Sequence, residues 1–226
     1  EARSRLRAAA EGTDEEDRLE AERAALLGEA RAVAAELGAA RSEAAPGLAE
    51  AVMRELADLA MPDARVDVRV SADEADPPRD RCDIWLAANP GLDPAPLGKA
   101  ASGGELSRVL LALHVQGARS GGPSWVFDEV DAGIGGATAT AVGERLARLA
   151  TSSQVIVITH LPQVAALAEA NYRVEKAVRQ GESATEISAV RDADLVAELC
   201  RMLGARPDDT GARRHAEELL ARRAEA

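Results

Sequence analysis

Aromatic side chains are nearly missing from this sequence: Trp85, Trp125, Phe127 and Tyr172 are the whole set in 226 residues. A core without rings must be packed from Leu, Val and Ala, and a base-stacking platform for single-stranded nucleic acid is disfavoured. Cysteine is equally sparse. Cys82 and Cys200 form no CxxC pair and no zinc-type spacing, and they read as buried, reduced thiols of a cytosolic protein. No apolar run approaches the ~20 residues that a membrane-spanning helix needs, and no signal peptide is visible. Excess positive charge is also lacking. The net charge of −12 repels nucleic acid and anionic membranes in bulk, so any DNA contact needs a local basic patch or another part of the molecule. The chain opens on Glu1-Ala2-Arg3 rather than Met, inside a charged helical pattern, and is expected to be a fragment of something longer.

What is present has an ordinary balance, 46% apolar and 29% charged, enough for one sizeable core with an appendage. Residues 1–45 are rich in Ala, Glu and Arg. Thr13-Asp14-Glu15-Glu16 has the form of a capping box, so a helix is expected to restart after Gly12. Leu19, Leu26, Val33 and Ala40 then recur every seven residues, with Ala30, Leu37 and Ala44 at the matching positions and Arg23 interrupting them. This short heptad seam predicts a coiled-coil arm whose partner strand lies outside the chain; the competing reading is a solvated single helix packed on a domain. Pro46-Gly47 is expected to end the seam, giving an arm over 1–45 and a lobe over 46–226.

Within the lobe, Leu48, Val52, Leu56 and Leu59 predict one apolar helix stripe. Val66, Val68 and Val70 alternate with charges as a half-buried strand does, and Ile84-Trp85-Leu86 forms the next strand after a polar loop over 72–81. A proline-bearing loop over 92–97 follows. Leu106, Val109, Leu110 and Leu113 line a helix face. Trp125-Val126-Phe127 and Val155-Ile156-Val157-Ile158 read as strands buried on both faces. Helices are expected around 142–149, 164–167, 195–202 and from 211 onward, with a strand pair around Gly181. Buried strands alternating with helices imply an α/β fold with a largely parallel sheet.

Two stretches carry chemistry. Ala101-Ser102-Gly103-Gly104-Glu105 is a glycine turn running into a helix, where free amides and the helix dipole favour an anion and the Ser102 hydroxyl can bond a phosphate oxygen. A plain capped loop would serve equally for that turn alone. The strand Trp125–Phe127 ends in Asp128-Glu129, two carboxylates suited to Mg²⁺ and an activated water, although a buried strand with two surface acids reads the same way. The phosphate-loop form Gly-x4-Gly-Lys-Ser/Thr is absent. In the nearest stretch six residues separate Gly91 from Gly98, and Ala100 has no hydroxyl for Mg²⁺.

In order, Ser102-Gly103-Gly104-Glu105, Trp125-Val126-Phe127-Asp128-Glu129 and His160 resemble the signature motif, Walker B strand and switch histidine of ABC-type ATPases. The longer runs Ala101–Arg108, Phe127–Gly136 and Ile158–Ala165 are similar to the RecN family, SMC-like ATPases of bacterial double-strand-break repair. Asn89-Pro90-Gly91, Arg201–Gly204 and His215–Leu220 add to that likeness, which covers nearly everything from residue 46 onward. The resemblance implies the C-terminal lobe of an ABC-type head on a returning coiled-coil arm, with ATP as substrate. Asp128 would hold Mg²⁺, Glu129 would be the general base, and His160 would stand near the γ-phosphate. Ser102, Gly103, Gly104 and Glu105 would meet the nucleotide of a second head, and Asp131 would begin the loop that crosses that interface. The implied partners are an N-terminal ATPase lobe of the same protein, a second copy and DNA ends, in the bacterial cytoplasm at the nucleoid and with no membrane. A chain without the phosphate loop is expected to be inactive alone. The alternatives are a non-catalytic interaction module and another SMC-like or ABC ATPase head. His114 and His215 read as structural.

Overall fold

The computed structural model describes the backbone of residues 2–73, 79–117, 123–179, 182–206 and 208–224. By contacts it divides into two units, residues 1–49 with 67–85 and residues 50–66 with 86–226. The parts of the expected loops at 74–78, 118–122 and 180–181 lie outside the described residues, as do the side chains of Thr13 and Asp14.

The first element overturns two expectations. Helix α1 runs unbroken from Ala2 to Asp58, so it neither restarts at Thr13 nor stops at Pro46. A proline inside a helix removes one backbone hydrogen bond and costs about 3 kcal/mol. Burial on both sides offsets that cost: Ala45 and Ala49 are buried, and one and two turns further on Val52 and Leu56 are fully so. No coiled-coil arm is distinguishable among the described residues, and the heptad positions Leu19, Leu26, Val33 and Leu37 are exposed. Within the first unit Arg41 pairs with Asp80, whose carboxylate lies against Gly38, and the Arg69 guanidinium lies 3.8 Å above the Trp85 ring. Cys82 is exposed there, contrary to its reading as a buried thiol, whereas Cys200 is fully buried in the other unit.

Three small sheets are present among the described residues, and the largely parallel sheet expected from sequence is not one of them. Strands β1 (Arg65–Asp73), β2 (Arg79–Ala87) and β3 (Ala95–Pro96) form the first, in that order. Strand β3 and the short helix α2 (Leu97–Ala100) stand where only a loop was expected. Strands β4 (Trp125–Phe127) and β5 (Val155–Val157) form a parallel pair; β6 (Asn171–Arg179) and β7 (Glu182–Val190) form an antiparallel ribbon. Between and after them come α3 (Gly103–Gly117), α4 (Gly136–Ala150), α5 (Pro162–Ala165), α6 (Asp192–Met202) and α7 (Thr210–Ala221).

The β4–β5 pair is not buried on both faces. Phe127 is 5% exposed, but Val126, Ile156 and Ile158 on the other face are 65%, 49% and 58% exposed. Helix α3 also presents a different stripe from the one its leucines suggested. Gly104, Arg108, Val109, Leu111, Ala112 and Val115 face inward, while Leu110 is exposed. Further along, α5, α6 and α7 close over Leu199, Cys200, Ala216 and Leu219. The end of α1 within the second unit is held by Arg145 of α4, which pairs with Asp58 and, at 3.1 Å, with Glu55.

Candidate functional site

Register builds this site. In the parallel pair Trp125 lies opposite Val155, Val126 opposite Ile156 and Phe127 opposite Val157. The ladder continues where the Ile158 N–H donates to the Phe127 carbonyl at 3.0 Å. Both strands therefore end together, which sets the segment from Asp128 beside Thr159 and His160. Sites in open α/β sheets lie at such carboxyl ends.

The glycine turn arrives from the other side. Ser102 caps α3: its carbonyl accepts from the Leu106 N–H at 2.8 Å. Its own N–H and hydroxyl donate to the Glu105 carboxylate at 2.8 and 2.9 Å, half of a capping box. Those two bonds, opposed by partial burial and aided by Arg108, hold the Glu105 carboxyl below the usual carboxylate range. The turn then meets the strand end. A Cβ on Gly104 would lie 3.0 Å from the Ala132 Cβ and 3.1 Å from the Glu129 carbonyl, so only glycine lets the two backbones come this close. A Cβ on Gly103 would fall 2.7 Å from the Glu129 carboxylate oxygen.

Two further bonds fasten α3 to the same turn. The Ser107 hydroxyl donates to the Asp128 carbonyl at 2.8 Å, and the Arg108 guanidinium donates to the Ala132 carbonyl at 3.0 Å. Arg108 is only 7% exposed, and burial pulls its pKa below the usual arginine value. Glu129 itself adopts a left-handed backbone, φ +57°. Such a conformation in a residue with a side chain costs of order 1 kcal/mol or more and persists where surrounding contacts fix it. Here the contacts are the bonds to the carbonyls on either side and the Ala132 N–H, which closes back on the Glu129 carbonyl at 3.0 Å.

Asp128 and Glu129 are exposed, with the Glu129 carboxylate lying over Gly103. Asp131 is 2% exposed. Its Oδ2 accepts from the Thr159 hydroxyl and, at 3.1 Å, from the His160 N–H, and it lies 3.3 Å from His160 Nδ1. Ser102, Gly103, Gly104, Glu105, Asp128, Glu129, Asp131 and His160 therefore belong to one connected set of turns at the ends of β4 and β5. Of the two histidines read as structural, His114 lies tilted against Trp125 with ring centroids 3.6 Å apart, and His215 lies 3.6 Å from the Glu218 carboxylate. Sequence reasoning assigned no role to Ser107, Arg108 or Thr159. For Arg108 a signal existed: it falls four residues after Gly104 and four before Ala112, on the stripe that turns out to be buried.

A divalent ion can be accommodated only with help. No group of three or more His, Cys, Asp or Glu side chains suited to a metal occurs among the described residues. Two adjacent exposed carboxylates fit Mg²⁺, which completes its shell with water and phosphate oxygens instead of an all-protein cage.

No family model matches the chain. Curated proteins do. The DNA repair protein RecN of Streptomyces coelicolor is 45% identical over 216 residues, covering 88% of this chain and 38% of that protein. RecN of Deinococcus radiodurans is 43% identical, covering 93% and 38%, and RecN of Mycobacterium tuberculosis 42% identical, covering 97% and 41%. The chain thus spans 38% to 41% of the length of these relatives. Among solved structures, the Smc head domain with coiled coil and joint from Pyrococcus yayanosii has a TM-score of 0.48 and 23% identity, over 68% of this chain and 28% of that one. With 42% to 45% identity sustained over 88% to 97% of its residues, the chain belongs to the RecN family of DNA repair proteins.

Proposed function

We propose that this chain is the C-terminal lobe of the ATPase head of a RecN-type protein that acts in recombinational repair of DNA double-strand breaks. The observation that carries this reading is the seating of the glycine turn on the Asp128–Ala132 turn, through Gly104, Ser107 and Arg108. In this reading Asp128 and Glu129 serve the nucleotide bound by their own head. Ser102 to Glu105 serve the nucleotide of a second head, with ATP held between the two, and the turn that Asp131 opens lies at that interface.

Asp128 would hold Mg²⁺, which when bound supplies positive charge to neutralise a phosphoryl group. Glu129 would orient and deprotonate the attacking water; its fixed backbone leaves only side-chain torsions to adjust. Ser102 and the free amides at the start of α3 would bind phosphate oxygens. His160, with its side chain 70% exposed, would reach the terminal phosphate. The phosphate loop would come from an N-terminal lobe of the same protein. The exposed apolar face of Val126, Ile156 and Ile158 supports such a lobe, because parallel strands are ordinarily covered on both faces. Helix α1 would be the returning strand of a coiled coil whose outgoing strand leads from that lobe. DNA, engaged by the intact protein in the bacterial cytoplasm, would be handled elsewhere in the molecule.

A second reading follows from the donor set. With no phosphate loop and two carboxylates, the chain alone is an interaction module without catalysis. Magnesium-dependent ATP hydrolysis separates the readings. Turnover is expected only when the chain is mixed with the N-terminal lobe of a RecN relative, and it should fall by about 100-fold or more with Glu129→Gln. Ser102→Arg should prevent nucleotide-dependent head pairing in the mixture. Turnover by the chain alone, or an unaffected Glu129→Gln mixture, would overturn the proposal.

A further inference from the structure

We infer that Asp131 is a positioning residue for His160, holding the imidazole with Nδ1–H toward its carboxylate and leaving Nε2 as the working nitrogen. The inference rests on the reading of His160 as a phosphate-facing group, and it assigns Asp131 an action through that histidine.

The argument begins with burial. A carboxylate 2% exposed must have its charge satisfied inside the protein. The groups that satisfy it come from the opposite strand end: the Thr159 hydroxyl, the His160 N–H at 3.1 Å and His160 Nδ1 at 3.3 Å all address Oδ2. The hydroxyl of Thr159 also accepts from the Leu161 N–H at 3.0 Å, and its one proton has its nearer acceptor in Asp131, the Leu161 carbonyl lying 3.5 Å away. His160 is thus bonded to that oxygen through its backbone N–H, and its ring nitrogen Nδ1 lies 3.3 Å from the same atom. The oxygen is itself fixed, because its turn is closed from Ala132 to Glu129 and tied to α3 through Arg108.

The tautomer follows. A neutral imidazole carries one proton, and which nitrogen holds it is set by the partner of the other. Against a carboxylate, Nδ1 must be the donor. Nε2 then points away from the buried oxygen on a side chain that is 70% exposed. In that form Nε2 accepts a hydrogen bond from a water or hydroxyl beside the phosphate.

Nitrogen-15 NMR of the imidazoles tests this on the labelled chain, which holds only His114, His160 and His215; His160→Ala assigns the signals. In mildly alkaline buffer the wild type should show a protonated Nδ1 and a bare Nε2. Asp131→Ala should shift the ring to a mixture rich in Nε2–H. Asp131→Asn, which keeps an acceptor oxygen in place, should retain most of the wild-type pattern. A wild-type ring protonated at Nε2 overturns the inference, as does an Asp131→Ala ring identical to wild type. If Asp131→Ala does not fold, the wild-type pattern and Asp131→Asn decide. In the reconstituted mixture Asp131→Ala should lower kcat roughly 10- to 100-fold, the range for losing an outer-shell partner of a histidine, with KM little changed and no further loss when combined with His160→Ala. Loss of turnover on mixing would count against the ATPase reading; the imidazole spectra need no nucleotide and stand apart from it.

Discussion

Gly103 and Gly104 are neighbours with opposite tolerances. A methyl on Gly104 meets backbone and a short side chain, the Glu129 carbonyl at 3.1 Å and the Ala132 Cβ at 3.0 Å, which cannot move without opening the turn. A methyl on Gly103 meets only the end of the flexible Glu129 side chain. Gly104→Ala should therefore cost about 1–3 kcal/mol. Gly103→Ala should be neutral or gain up to about 1 kcal/mol from helix propensity. Urea denaturation of both variants checks this, and an equal loss in the two would refute the asymmetry. The glycine pair was legible in sequence because its neighbours along the chain announce it. Arg108 was not, because a guanidinium beside Ser107 looks like surface charge until the fold supplies the Ala132 carbonyl. Asp131 was read for the loop it opens, whereas its carboxylate is bonded to a residue 29 positions away.

Among the elements, α6 shows how ionisation enters stability. Glu198, 8% exposed, receives two hydrogen bonds from Arg201 one turn on and lies 3.9 Å from Arg173 of β6. The Arg201 hydrogen bonds, then the charges of Arg201 and Arg173, outweigh burial and hold its pKa below the usual value. A carboxylate depressed in the folded state contributes fully above its unfolded pKa, and the contribution disappears as pH falls through the folded one. Glu198→Gln should thus cost about 1 kcal/mol near neutral pH and clearly less near pH 2–3, where the carboxylate begins to take up its proton. Urea midpoints at the two pH values provide the comparison, and a gap of constant size would rule the pair out as a source of acid sensitivity. Element types were mostly legible, since the periodicities at 103–117 and 136–150 are local. Boundaries and faces were not. Pro46 looks like a stop, yet burial of Ala45 and Ala49 carries α1 through it. Val126 and Ile156 look buried, yet no described segment covers them.

For the molecule as a whole, that uncovered face is the main departure from a self-sufficient domain. A two-stranded sheet is marginal by itself. Val126, Ile156 and Ile158 on β4–β5, like Tyr172, Val174 and Ile187 on β6–β7, leave apolar surface in water. The chain alone should bind a hydrophobic dye such as ANS. Val126→Ser with Ile156→Ser should reduce that binding with little loss of stability, yet abolish complementation by an N-terminal lobe. Unimpaired complementation would mean that the lobe docks elsewhere. The number of sheets could not be read from the sequence, because pairing depends on which strands are brought together and not on the strands singly. The fastening of α3 has a consequence of its own. Its first turn carries Ser102 to Glu105, and its second grips the carbonyls on either side of Glu129 through Ser107 and Arg108. In the sandwich proposed above these two adjacent turns would serve different nucleotides. The helix would then be a timing rod: a change at either nucleotide would be felt by the other, and the two reactions would keep step without any message passing through the DNA.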